Sequence, residues 1–123
     1  MHNLVYCGSD RMEIYIELQK VLKDYFQEKE WHKYFLTGGC YWFANYLHLR
    51  IADSELMINR IEEHCAIRLA DGLFDIRGKI SPYGFHPATE REISFMKKNY
   101  IPKFDVDSLE KYIESNLHCI DIA

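Results

Sequence analysis

Three residues in this chain have the types and the order to carry covalent chemistry: Cys40, His64 and Asp75. Cys40 follows Gly38-Gly39 in the stretch LTGGCYWFANYLHLR, residues 36–50, where the run behind the cysteine has a helical, almost wholly apolar pattern. A thiol at a helix N-terminus meets unpaired backbone N–H groups and the positive end of the helix dipole. Both favour the thiolate, the form that attacks, and the same N–H groups, Cys40's among them, can hold a developing oxyanion. The paired glycines allow dihedrals closed to other residues and let a substrate approach the backbone closely. Gly38, Gly39 and Tyr41 are therefore the expected substrate-binding or oxyanion positions.

A thiolate nucleophile needs a base beside it, and the base needs an orienting partner. The stretch HCAIRLADGLFDIRG, residues 64–78, offers both on a hairpin. Cys65, Ile67 and Leu69 alternate, Asp71-Gly72 is a strong two-residue turn signal, and Phe74 and Ile76 resume the alternation. The opposite face then carries His64, Ala66, Arg68 and Ala70 on the first strand, with Leu73, Asp75 and Arg77 on the second. His64 and Asp75 share that face, and Ala66 is small enough for a helix to pack over it. The turn also sets a difficulty. It places Asp75 opposite Arg68 and His64 opposite Lys79, an offset of four positions or ~13 Å at ~3.3 Å per residue, too far for a direct hydrogen bond. Either the register differs or another residue orients His64. A plain Asp75–Arg68 ion pair is the competing expectation for Asp75.

The elements that must position these residues follow from periodicity. Asp10 with Glu13 is a capping-box-like start, and Ile14, Leu18, Val21, Leu22 and Tyr25 recur at helical spacing to about Phe26, leaving Glu17, Lys20, Lys23 and Asp24 on the polar face. The second helix starts at Cys40. Only Asn45, His48 and Arg50 are strongly polar in it, so it belongs in the centre of the fold. A strand is expected around residues 56–58, SPYGFHP is loop, Pro87 with Thr89 and Glu92 starts a third helix, and Asp107 to Glu110 starts a short fourth. The order is helix, buried helix, strands, helix, helix.

GGCYWFA opening a central helix, followed by a hairpin bearing His64 and Asp75, resembles the papain-like cysteine peptidase superfamily, which includes transglutaminase-like proteins and bacterial cell-wall endopeptidases. The likeness covers about residues 36–78. It implies an α+β fold in one domain spanning the chain: a small papain-like fold, its central buried helix carrying the cysteine, packed on a short antiparallel sheet and flanked by N- and C-terminal helices. It implies Cys40 as nucleophile, His64 as base and Asp75 as orienter. The expected function is a thiol hydrolase or acyl-transfer enzyme, whether peptidase, isopeptidase, deamidase or transglutaminase-like, acting on an amide of a protein or peptide. The alternative is a non-catalytic binding or inhibitory protein on the same scaffold.

Composition narrows the remaining classes. The 123 residues are 48% hydrophobic and 28% charged, with nine Tyr and seven Phe to fill one core. A net charge of -4 with interspersed signs leaves no footprint for nucleic acid. No apolar window approaches the length of a membrane span, so no membrane partner is expected and the setting is read as cytoplasmic. Cys7, Cys40, Cys65 and Cys119 form no Cys-x-x-Cys pair and are expected as free thiols. His118-Cys119 echoes His64-Cys65, but neighbouring strand residues point to opposite faces and short ligand spacing is missing, so neither metal nor cofactor is expected. His86, in the aromatic loop, is expected to pack with its rings or to line a pocket.

Overall fold

The computed structural model describes residues 5–6, 11–69, 72–117 and 119–120. Cys7, the expected cap Asp10, Ala70, the turn residue Asp71 and His118 lie outside them. Helix α1, Arg11–Phe26, buries Ile14, Tyr15, Leu18, Val21 and Leu22 along one stripe, as its periodicity requires. A 3-10 turn at Trp31–Phe35, which the patterning does not announce, leads into α2, Cys40–His48. No residue of α2 is exposed, and Cys40, Tyr41, Phe43, Ala44, Tyr46 and Leu47 are fully buried. The burial stops where the helix does: Leu49, its C-cap, is 63% exposed, although its apolar character suggested burial.

Five strands form one antiparallel sheet in the order β5-β4-β3-β2-β6: β2 Glu55–Asn59, β3 His64–Leu69, β4 Gly72–Asp75, β5 Gly78–Ile80 and β6 His86–Pro87. A separate pair, β1 Val5–Tyr6 and β7 Cys119–Ile120, is parallel. The expected short strand at 56–58 thus reaches from 55 to 59, and part of the expected loop, His86–Pro87, pairs with β2. Helix α3, Glu90–Asn99, begins with a complete capping box in which Thr89 and Glu92 satisfy each other's backbone N–H groups. Helix α4, Val106–Asn116, is capped by Asp105, whose carboxylate accepts the Ser108 N–H at 3.1 Å, so it starts before Asp107.

The two faces of the sheet are filled differently. Leu56, Ile58, Cys65, Ile67, Leu69, Phe74 and Ile76 join side chains of all four helices in the main core, which makes the molecule α+β with a buried central helix on an antiparallel sheet. On the other face Met57, Ala66 and Leu73 form a small cluster under Ile80 and Phe85. Strand and loop side chains cover Ala66, where a helix was expected.

The β3–β4 register also departs from expectation. Leu69 pairs with Gly72, Arg68 with Leu73 and Ile67 with Phe74, so Gly72 is the first residue of β4 and not the second of the turn. Its glycine character has another cause. Gly72 has φ +143°, and a Cβ there would sit 2.6 Å from Lys79 Cε on the neighbouring strand β5. The face assignment survives because the shift is two residues, an even number. No described helix is long and apolar enough to cross a membrane.

Candidate active site

Cys40 is the first residue of α2, as expected, but the glycines before it have a different task. Gly39 has an ordinary φ of -88°, and Gly38 is not among the positive-φ glycines. A Cβ on Gly38 would lie 2.0 Å from the Ile101 carbonyl oxygen, and one on Gly39 2.1 Å from that of Tyr34. The pair is glycine because two backbone segments press against the helix entrance. The Cys40 N–H, an expected oxyanion donor, is engaged: it donates to Thr37 O at 2.8 Å. The next two N–H groups of the first turn, on Tyr41 and Trp42, make no backbone hydrogen bond among the described residues and remain as donors. Cys40 is 3% exposed, and its Sγ accepts the Cys65 N–H at 3.4 Å.

His64 is set by the turn before it. Asn59, paired with His64 across the ladder, accepts the N–H groups of Ile61 and Glu62 on its side-chain oxygen at 3.1 Å each. Glu63, immediately before His64, adopts φ +51°. The imidazole Nε2 then meets Asp75 Oδ2 at 2.8 Å. The expected ~13 Å gap closes because the register is two residues tighter. One step beyond the Ile67–Phe74 pair, Asp75 falls opposite Ala66, a diagonal neighbour of His64 at a typical ~7–8 Å between backbones that two side chains can span. Arg68 pairs with Glu55 at 2.8 Å, so the competing Asp75–Arg68 contact does not form.

Asp75, 2% exposed, is held from several sides. Its carboxylate accepts the Arg77 N–H at 2.8 Å and the Arg77 guanidinium at 2.5 and 3.0 Å. Its carbonyl accepts the Tyr15 hydroxyl, and Gln19 Nε2 donates to Ile76 O at 3.3 Å, so α1 fixes the end of β4. Burial alone would raise the carboxyl pKa, but the hydrogen bonds from His64 and Arg77 outweigh it and hold Asp75 down to about 2. Burial likewise disfavours the His64 imidazolium. The hydrogen bond to Asp75 first, then the nearby Cys40 thiol and the charges of both, overcome that and push His64 up to about 9. With Nε2 on Asp75, Nδ1 is the ring nitrogen left for another partner.

Asp75 and His64 are thus joined by a direct hydrogen bond, and the Cys40 thiol is close enough to His64 to shift its pKa, which brings the three residues together from three elements. Arg77 and Tyr15 belong to their support. Arg77 was legible two residues from Asp75 on the same strand face, whereas nothing in the sequence ties Tyr15 to Asp75. Two clefts lie in this part of the molecule, one of them lined by His64. One, of about 440 Å³, is lined by Glu62, His64, Arg77, Ser81, Tyr83 and Phe85. The other, of about 340 Å³, lies between β2 and α3 and is lined by Ile58, Arg60, Glu63, Arg91, Phe95 and Tyr100 among others. His86 stands apart on β6, in an exposed contact with Glu92 at 2.9 Å. Among the described residues no group of three or more His, Cys, Asp or Glu converges as metal ligands.

No curated protein and no solved structure matches this chain. The family described as Phage YunG-like protein matches residues 18–114, a span that contains Cys40, His64 and Asp75, and the chain therefore belongs to the Phage YunG-like protein family.

Proposed function

We propose that this protein is a cysteine-dependent hydrolase or acyl-transfer enzyme acting on an amide of a protein or peptide, on a papain-like scaffold. The observation that carries the reading is the 2.8 Å His64–Asp75 contact, made by a histidine whose pKa is also raised by the nearby Cys40 thiol. A buried His–carboxylate pair beside a thiol at a helix start matches what thiol acyl transfer needs. Asp75, kept ionised by Arg77, holds the imidazole in one orientation and stabilises its cation. His64 takes the thiol proton, and the Cys40 thiolate attacks the carbonyl carbon. The carbonyl π pair moves onto oxygen, where the Tyr41 and Trp42 N–H groups are available. Collapse expels the amine with the proton from His64, and water or a second amine, deprotonated by His64, releases the acyl group. A reducing cytoplasmic setting suits a chain in which Cys40 and Cys65 are free thiols.

The test is alkylation of the native protein by iodoacetamide at about pH 6, where ordinary thiols are mostly protonated, with each cysteine followed by peptide mass spectrometry. Cys40 should outpace Cys7, Cys65 and Cys119, and His64→Ala should remove its advantage. Equal, slow reaction of all four would count against catalysis.

A second reading, a binding or inhibitory protein that retains the scaffold, draws on one observation: Cys40 is only 3% exposed. A stoichiometric partner captured equally by wild type and by Cys40→Ala would favour it.

A further inference from the structure

We propose that Tyr100 is a further catalytic residue of this site: its phenol donates a hydrogen bond to the oxyanion formed when Cys40 attacks, with the acyl side of the substrate held in the cleft between β2 and α3. The inference rests on the thiol acyl-transfer reading and adds to it a side-chain donor for the developing charge, beside the Tyr41 and Trp42 N–H groups. Three observations carry it. First, the donor that the helix start would offer soonest, the Cys40 N–H, is bonded to Thr37 O at 2.8 Å. Second, the chain around Tyr100 is fixed against the helix that bears the nucleophile. Trp42 Nε1 donates to Tyr100 O at 3.2 Å, and the Ile101 carbonyl occupies the space beside Gly38 that a side chain would fill. Third, Tyr100 is only 8% exposed, yet it lines the 340 Å³ cleft and its hydroxyl makes no hydrogen bond to any described residue. A phenol with so little exposure normally finds a partner, and the space that Tyr100 lines is the cleft.

The phenol is also suited to remain a donor. Burial, and next the nearby Cys40 and Cys65 sulfurs when charged, push its pKa up to about 12, so it stays protonated beside the thiolate. In the step itself the Cys40 Sγ–carbon bond forms and the π pair goes to oxygen. Tyr100 shares its proton with that oxygen without surrendering it. When the oxyanion collapses the electron pair returns, the bond to the leaving group breaks, and His64 supplies the leaving group's proton. His64 itself lines the other cleft.

The test compares two reactions of Cys40 in the wild type and in Tyr100→Phe, a change that keeps the ring. Alkylation by iodoacetamide is a displacement at saturated carbon and forms no oxyanion, whereas acylation by p-nitrophenyl acetate does, and releases p-nitrophenolate in a measurable burst. Losing one oxyanion donor should slow acylation by about 10²- to 10³-fold, while alkylation of Cys40 stays within roughly twofold. Unchanged acylation in Tyr100→Phe would overturn the inference and leave the acyl-transfer reading intact. Acylation and alkylation falling together would also overturn it, because Tyr100 would then shape the thiol and not the oxyanion. If wild-type Cys40 is alkylated fast but never acylated, the inference fails; if it is inert to both, the acyl-transfer reading fails with it.

Discussion

Two histidine–carboxylate contacts in this molecule have nearly the same length and opposite settings. His64 meets Asp75 at 2.8 Å with side chains 9% and 2% exposed, and His86 meets Glu92 at 2.9 Å with side chains 47% and 13% exposed. Glu92 is already committed to the capping box of α3, and its pKa is lowered by the Thr89 N–H first and by His86 less. Among the described residues the Asp75 carboxylate is committed to His64 and Arg77, and His64 also has a thiol nearby. A short His–carboxylate distance is therefore no mark of an active site. Removal from water makes the charge on one partner matter to the other, and a third reactive group gives the pair something to act on.

The contrast can be broken by removing each pair in turn. The largest effect belongs to His64→Ala, which takes away both proton carrier and ion-pair partner. Acylation of Cys40 by p-nitrophenyl acetate should fall by about 10⁴-fold or more, and a loss of less than tenfold would place His64 outside the chemistry. Next comes Asp75→Asn, which preserves shape but not charge. A loss of about 10²- to 10⁴-fold is expected, the range in which a mis-oriented imidazole sits, and the same assay reads it.

A third prediction concerns stability and its sign. His64 titrates near 9 in the folded chain against its ordinary 6.5, so its contribution is complete below 6.5 and is lost as pH rises through about 9. Asp75 titrates near 2 against 3.8, so its contribution is present above 3.8 and is lost as pH falls through about 2. The wild-type advantage in Tm over Asp75→Asn should accordingly be larger at about pH 5.5 than at about pH 10. A difference independent of pH would contradict the coupling of these two groups. The smallest effect is expected from His86→Ala. An exposed pair contributes about 0–1 kcal/mol, so Tm should shift little and Cys40 acylation should stay within roughly twofold; a large loss of acylation would join the two pairs into one site.

Much of this architecture was legible because its signals are local. The stripe of Ile14, Leu18, Val21 and Leu22, the all-round apolar surface of residues 40–48 and the Thr89–Glu92 capping box each depend on neighbours within a turn or two. Even the sharing of one sheet face by His64 and Asp75 depends only on the two-residue period of strands, which an even register shift preserves. The Asp-Gly signal misled for a physical reason: Gly72 is required by a left-handed φ and by Lys79 lying across it, and neither is visible within the hairpin. The Gly38-Gly39 pair misled in the same way, since what excludes side chains there comes from Tyr34 and Ile101.

By itself, then, the sequence determined the element types, the buried helix and the identity and facing of Cys40, His64 and Asp75, because short-range steric and hydrophobic periodicity suffices for these. Only the tertiary structure decided that His64 reaches Asp75, that Arg77 and Tyr15 hold the aspartate, that the Cys40 N–H is already engaged and that Tyr100, fixed against the helix that bears Cys40, lines a cleft. Hydrogen bonds are made or lost within a few tenths of an ångström. Such distances are set by the register of whole strands and by the packing of segments up to sixty residues apart in the chain.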